Sequence, residues 1–161
     1  MMVNNGYRND LSLDEKVMMA IVRLAEFFKK NSSKIFKNYG LTFPQYNVLR
    51  VLDSSENRQN TISNVGKIML VSGANMTGIA KRLEKNGFLL RKSDPDDERV
   101  TLLEITPKGR QRLKDISSRK DAIISRYLKH FSDDQKRETV SLIRSAIKGN
   151  NLSQARQDKD P

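Results

Sequence analysis

Ser72-Gly-Ala-Asn-Met-Thr-Gly-Ile-Ala-Lys-Arg-Leu-Glu-Lys-Asn-Gly87 reads as a helix with two unlike faces. Met76, Ile79, Ala80 and Leu83 fall at helical spacing and form an apolar, core-facing stripe. Ser72 suits the N-cap, where its hydroxyl can accept a free N–H of the first turn. Gly87 suits the residue after the helix, because it takes the left-handed conformation without a Cβ clash. The other face carries Gly73, Ala74, Asn75, Thr77, Gly78, Lys81, Arg82 and Lys85. Small residues let a helix backbone approach another surface closely. Asn and Thr can bond base edges or phosphates, and Lys and Arg neutralise phosphates. An ordinary solvated helix would look similar, but each glycine lowers helix propensity by roughly 1 kcal/mol relative to Ala. Something other than helix stability therefore selects Gly73 and Gly78.

The neighbours of this helix extend the reading. Thr61 can cap a short helix to about Ile68, with Ile62, Val65, Gly66 and Met69 as packing positions. A turn at Met69–Val71 then leads into Ser72, which makes a helix-turn-helix. Downstream, Phe88–Ser93 and Val100–Ile105 are short apolar-rich runs joined by Asp94-Pro-Asp-Asp-Glu-Arg99. They read as a β-hairpin, and its loop as a wing. The expected fold is mainly α with a small β-hairpin wing, a winged helix-turn-helix plus a helical dimerisation region.

The chain resembles the MarR family of transcription regulators, which are dimeric winged helix-turn-helix proteins. The matching pieces are Leu41-Thr-Phe-Pro-Gln-Tyr-Asn-Val-Leu49, Ser72 to Gly87, the wing Asp94 to Arg99, and Ile105-Thr-Pro-Lys-Gly-Arg110. Together they span Leu41 to Leu113 in the family's order. The resemblance implies that Ser72 to Arg82 faces the groove and that Asp97 and Arg99 are the wing pair. Gly78 departs from the pattern, since many relatives carry Arg there. Arg99 is expected to enter a minor groove. Asp97 is expected to orient the loop by a hydrogen bond or ion pair, with the acidic neighbours turned back toward the protein. Asn75 and Thr77 are the base-edge candidates, although Asn75 can instead complete the helix cap. Lys81 and Arg82 are expected on phosphates. Thr61 completes the DNA-facing set.

Composition agrees with a polyanionic partner. The 161 residues carry a formal net charge of +11. The distribution is uneven. From Thr61 to Lys92 six basic residues stand against one acidic, and from Ser93 to Ile105 one stands against five. Residues 106–161 hold fourteen basic against seven acidic. With no cysteine, disulfides, thiolate metal sites and cysteine redox sensing are excluded. No apolar run approaches the ~20 residues of a membrane span, and the polar N-terminus lacks the apolar core of a signal peptide. A cytoplasmic protein is the expectation.

Flanking helices suggest assembly. Ser12-Leu-Asp-Glu15 and Thr42-Phe-Pro-Gln45 are capping boxes, and Ser132-Asp-Asp-Gln135 can cap the last helix. The first helix, to about Lys37, carries Val17, Ile21, Leu24, Phe28 and Ile35. A second carries Tyr46, Leu49 and Leu52. Thr106-Pro107 opens a helix to about Lys129 with Leu113, Ile116, Ile123, Tyr127 and Leu128. The last carries Val140, Ile143 and Ile147. The expected division is 1–38 and 106–148 for dimerisation, 39–105 for DNA binding, and 149–161 as a polar, frayed tail. A monomer with a helical subdomain is the alternative.

No enzyme is expected. His130 is the single histidine and reads as a surface residue at a helix end. Asp96, Asp97 and Glu98 lack the spacing of a Ca²⁺ site, and no phosphate-loop or nucleophile motif occurs. No cofactor or metal is called for. The favoured function is a homodimeric, sequence-specific regulator of double-stranded DNA on an inverted-repeat operator, acting as a repressor. A protein-interaction module and an RNA-binding domain are the other readings. The family resemblance implies a small aromatic or phenolic ligand. Met18, Met19, Phe27, Phe28, Phe43 and Tyr46 could line its pocket or simply pack in the core.

Overall fold

The computed structural model describes residues 10–157. The order is α1 (Leu13–Asn38), α2 (Phe43–Asp53), β1 (Gln59–Thr61), α3 (Ile62–Met69), α4 (Gly73–Lys85), β2 (Leu89–Ser93), β3 (Thr101–Ile105), α5 (Pro107–Leu128) and α6 (Asp133–Gln157). The fold is thus mainly helical with a small antiparallel sheet, as the sequence predicts. One compact unit ends at Lys120 and a second begins at Asp121, inside α5.

Local chemistry sets the helix starts. Ser12 and Glu15 close a full capping box on α1, and Thr42 and Gln45 close another on α2. Thr61 accepts the Asn64 N–H at 3.1 Å to cap α3. Ser132 and Gln135 exchange the same reciprocal bonds before α6. In the first turn of α6, the hydrogen bond and charge of Lys136 hold the Asp133 carboxyl below its ordinary range. Helical backbone continues to Gln157. The tail expected at 149–161 is therefore helical over Gly149–Gln157, and 158–161 lie outside the described residues.

The sheet has three strands where the sequence suggested a hairpin. Its order is β1-β3-β2, with both pairings antiparallel. Gln59 pairs with Glu104 and Thr61 with Leu102, so the chain enters α3 directly from an edge strand. Asn57 and Arg58, both at positive φ, turn the chain into β1.

The core of the first unit is a single cluster of buried apolar side chains. Val48, Leu49 and Leu52 of α2, Met76, Ala80 and Leu83 of α4, Leu89 and Leu103 of the sheet, and Ile116 of α5 are fully buried. Tyr46 and Leu113 are buried as expected. Within α1 the burial is concentrated at Ser32 and Phe36 near its C-terminal end. Its expected stripe is only part-covered in the single chain. Ile21, Phe28 and Ile35 are half-buried, while Val17 and Leu24 are exposed. In α6, Val140, Ile143 and Ile147 are exposed in the single chain.

Candidate nucleic-acid interface

The helix-turn-helix is built from packing and one tight turn. Val65 of α3 buries beside Met76, Ala80 and Leu83 of α4. The chain reverses through Leu70, which holds a left-handed φ of 53°. Val71 donates its N–H to Gly66 O at 3.0 Å. A Cβ at Gly66 would stand 3.3 Å from Val71 O, so the glycine lets the turn close against α3.

That packing leaves the opposite face of α4 to solvent. Gly73, Ala74, Asn75, Lys81, Arg82 and Lys85 are exposed, and Thr77 and Gly78 half-buried. Ser72 occupies the N-cap, but its hydroxyl makes no capping bond, which corrects the sequence expectation. Its backbone alone closes the first turn, with Met76 N–H donating to Ser72 O at 2.9 Å. The Asn75 amide makes no hydrogen bond among the described residues, so it does not serve as the cap. Thr77 donates its hydroxyl proton to Gly73 O at 3.0 Å, leaving its methyl as the group without a helix partner. The Arg82 guanidinium leans back one turn. A Cβ at Gly78 would lie 3.7 Å from Arg82 Nη2, so Arg82 brings its charge beside the position that lacks a side chain.

The wing is shaped by its own backbone. Asp94 N–H donates to Val100 O, and Val100 N–H to Asp97 O, each at 2.9 Å. The Asp94 carboxylate accepts the Asp96 N–H at 2.9 Å, and that of Asp97 accepts the Arg99 N–H at 3.0 Å. Asp97 therefore orients the loop through the Arg99 backbone, and the Arg99 side chain stays exposed with no ion pair among the described residues. The acidic neighbours do not all turn inward as expected. Asp96, Asp97 and Glu98 are exposed, and only Asp94 is half-buried.

At the wing base the basic residues are neutralised. Lys92 pairs with Glu104 across the strands, and Arg91 lies 3.6 Å from Glu84 of α4. Among the described residues, the unpaired positive charge between Thr61 and Lys92 thus resides in Lys67, Lys81, Arg82 and Lys85. Sequence reasoning missed Asn60. Its carboxamide oxygen accepts from the Thr61 N–H and from Asn64 Nδ2, both at 2.9 Å, and its Nδ2 donates to Ser55 Oγ at 3.0 Å. It ties the end of α2 to the start of α3, and an Asn next to a Thr N-cap was the available signal.

A small-residue helix face beside an arginine-tipped hairpin is the arrangement expected of a nucleic-acid reading head, and comparison with known proteins identifies the family. The family model described as transcriptional regulator SarA/Rot matches residues 30–116, which include the whole helix-turn-helix and wing. The chain belongs to that family of regulators. Among its relatives, the HTH-type transcriptional regulator TtmR of Methylorubrum extorquens is 31% identical over 109 residues, covering 68% of this chain and 55% of TtmR. The chain thus spans about half of that relative. The fold matches Sco3205, a MarR family regulator of Streptomyces coelicolor solved in complex with DNA. The TM-score is 0.78 at 19% identity, over 90% of this chain and 92% of that one. It also matches CouR of Rhodococcus jostii RHA1, solved bound to p-coumaroyl-CoA. That TM-score is 0.75 at 24% identity, over 85% of this chain and 95% of CouR. The protein is a helix-turn-helix transcription regulator, and its fold is that of MarR family structures.

In this regulator the six ligand-pocket candidates separate into two groups. Phe28 meets Phe43 edge-on at 5.5 Å, and Phe36 lies 5.5 Å from Phe43 and 4.9 Å from Tyr46. Met18, Met19 and Phe27 are exposed on α1. No helix among the described residues is long and apolar enough to cross a membrane.

Proposed function

We propose that this regulator acts as a homodimer on an inverted-repeat operator and represses by occupying a promoter. The observation that carries the reading is the exposed α4 face from Gly73 to Arg82, flanked by the free Arg99 side chain of the wing. In that reading Asn75 and Thr77 meet base edges, Lys81 and Arg82 meet phosphates, and Arg99 enters the minor groove. The exposed apolar residues of α1 and α6 support pairing of two chains, with 1–38 and 106–148 supplying the contact and 39–105 the DNA-binding part. Two-fold pairing would space the reading helices about one helical turn apart, roughly 34–36 Å.

Relief by a small aromatic compound completes the proposal. The aromatic cluster of Phe28, Phe43 and Tyr46 and the exposed Met18, Met19 and Phe27 of α1 support it, as does the p-coumaroyl-CoA ligand of CouR. The test is fluorescence anisotropy with duplex from the region upstream of the regulator's own gene, at two salt concentrations. Specific binding that weakens steeply with salt is expected. Failure to prefer any duplex over random sequence would instead favour a protein-interaction module.

A further inference from the structure

A cleft of about 550 Å³ opens where the α1–α2 turn, the end of α4, the base of the hairpin and the start of α5 meet. Its charged lining is Lys85, Lys108 and Arg112, and no carboxylate lines it. Two of these cations are held in place by Phe88, which is 4% exposed. Lys108 Nζ lies 5.2 Å and the Arg112 guanidinium 5.5 Å from the ring centroid. Lys108 also donates to Asn86 O at 2.8 Å. The side chains of Lys85 and Arg112 make no hydrogen bond or ion pair among the described residues.

Helix ends do not neutralise the cluster. The C-terminal ends of α1 and α4 each bring about −0.5 charge and the first turn of α5 about +0.5, leaving roughly +2.5. Three like charges around one cleft repel each other unless an anion joins them. Arg and Lys donors around an open cavity of this size suit a phosphate-bearing ligand.

The cleft is also remote from the DNA-facing surface. Along α4, Lys85 lies roughly 15 Å beyond Asn75 at 1.5 Å per residue. Along the hairpin, Phe88 is roughly 17–20 Å from the wing loop at about 3.3 Å per residue. A backbone phosphate of DNA lying on Asn75 and Arg99 would not be expected to enter it.

We propose that this cleft binds a small polyanion, a phosphorylated compound carrying about the charge of a diphosphate, separate from the DNA site. Such a ligand would bridge α4 to α5 at the root of both reading elements.

The test is isothermal titration of the full, DNA-free chain with pyrophosphate at fixed ionic strength. One saturable site per chain is expected. Lys85→Gln with Arg112→Gln should weaken it at least tenfold, while Lys67→Gln with Lys114→Gln leaves it unchanged. Lys85→Gln alone, at an exposed position, should weaken it measurably even if the double variant unfolds. Absence of saturable heat, or equal affinity in the Lys85 variant, would overturn the proposal. So would displacement of pyrophosphate by excess operator duplex, which would make the cleft part of the DNA face. Because no DNA enters the first titration, its result is independent of whether an operator is ever found.

Discussion

At the scale of single residues, the wing and the helix caps make contrasting demands. Arg99 holds no ion pair among the described residues, so its side chain contributes little to the folded chain. Arg99→Ala should therefore weaken operator binding by roughly 1–3 kcal/mol and leave the thermal midpoint nearly unchanged. Anisotropy titration beside a melting curve checks both halves, and unchanged affinity would remove Arg99 from the interface. The caps differ in the opposite way. Thr61 accepts a first-turn N–H, whereas the Ser72 hydroxyl accepts none. Thr61→Ala should cost about 1 kcal/mol, and Ser72→Ala less than about 0.5 kcal/mol; urea denaturation of the two variants distinguishes them. Gly109 is the least replaceable residue of the α5 start. A Cβ there would fall 2.2 Å from Phe88 O and 2.8 Å from Ile105 Cγ1, too close without moving backbone. Gly109→Ala should destabilise by about 3 kcal/mol or more, or prevent folding, with loss of soluble protein as the simplest readout.

At the scale of the element, α4 trades helix stability for a low profile. Its buried stripe of Met76, Ala80 and Leu83 fixes which face is offered outward. The glycine at 78 leaves that face without a side chain there, and Arg82 lies beside it. A methyl at Gly78 would make only an ordinary 3.7 Å contact with Arg82 Nη2. Gly78→Ala should thus raise stability by up to about 1 kcal/mol while lowering DNA affinity, because the new Cβ stands on the proposed groove face. A variant that gains stability and binds DNA as tightly as before would show that close backbone approach at 78 is unnecessary. The sheet shows the same economy of parts. β1 has only three residues, yet its pairing with β3 sets the direction in which α3 leaves.

At the scale of the whole molecule, the apolar residues of α6 pose the question of assembly. Ile143 is 36% and Ile147 41% exposed in the single chain. If a second chain covers them, Ile143→Asp would bury an unpaired carboxylate, at a cost of several kcal/mol. The variant should sediment as a monomer or aggregate and lose tight operator binding, since each half-site alone pays its own association entropy. A stable, DNA-competent dimer of Ile143→Asp would place the subunit contact elsewhere.

Much of this was legible in the chain. The periodicity of Met76, Ile79, Ala80 and Leu83, the capping pairs Ser12/Glu15 and Thr42/Gln45, and the turn-rich Asp94 to Arg99 each follow from interactions within a few residues. Short-range chemistry of this kind is written directly in sequence order. By itself it determined the helices, the hairpin, the uncovered face of α4 and the kinship with winged regulators. The tertiary structure decided what depends on distant partners. Gln59–Thr61 becomes a strand only because Leu102–Glu104, more than forty residues later, offers its free edge. Arg91 and Lys92 lose their free charge to Glu84 and Glu104, which no local count of basic residues could show. Lys85, Lys108 and Arg112 converge only when α4 and α5 meet around Phe88. Long-range pairing and charge convergence arise from packing geometry, and sequence order does not encode that geometry in any short window.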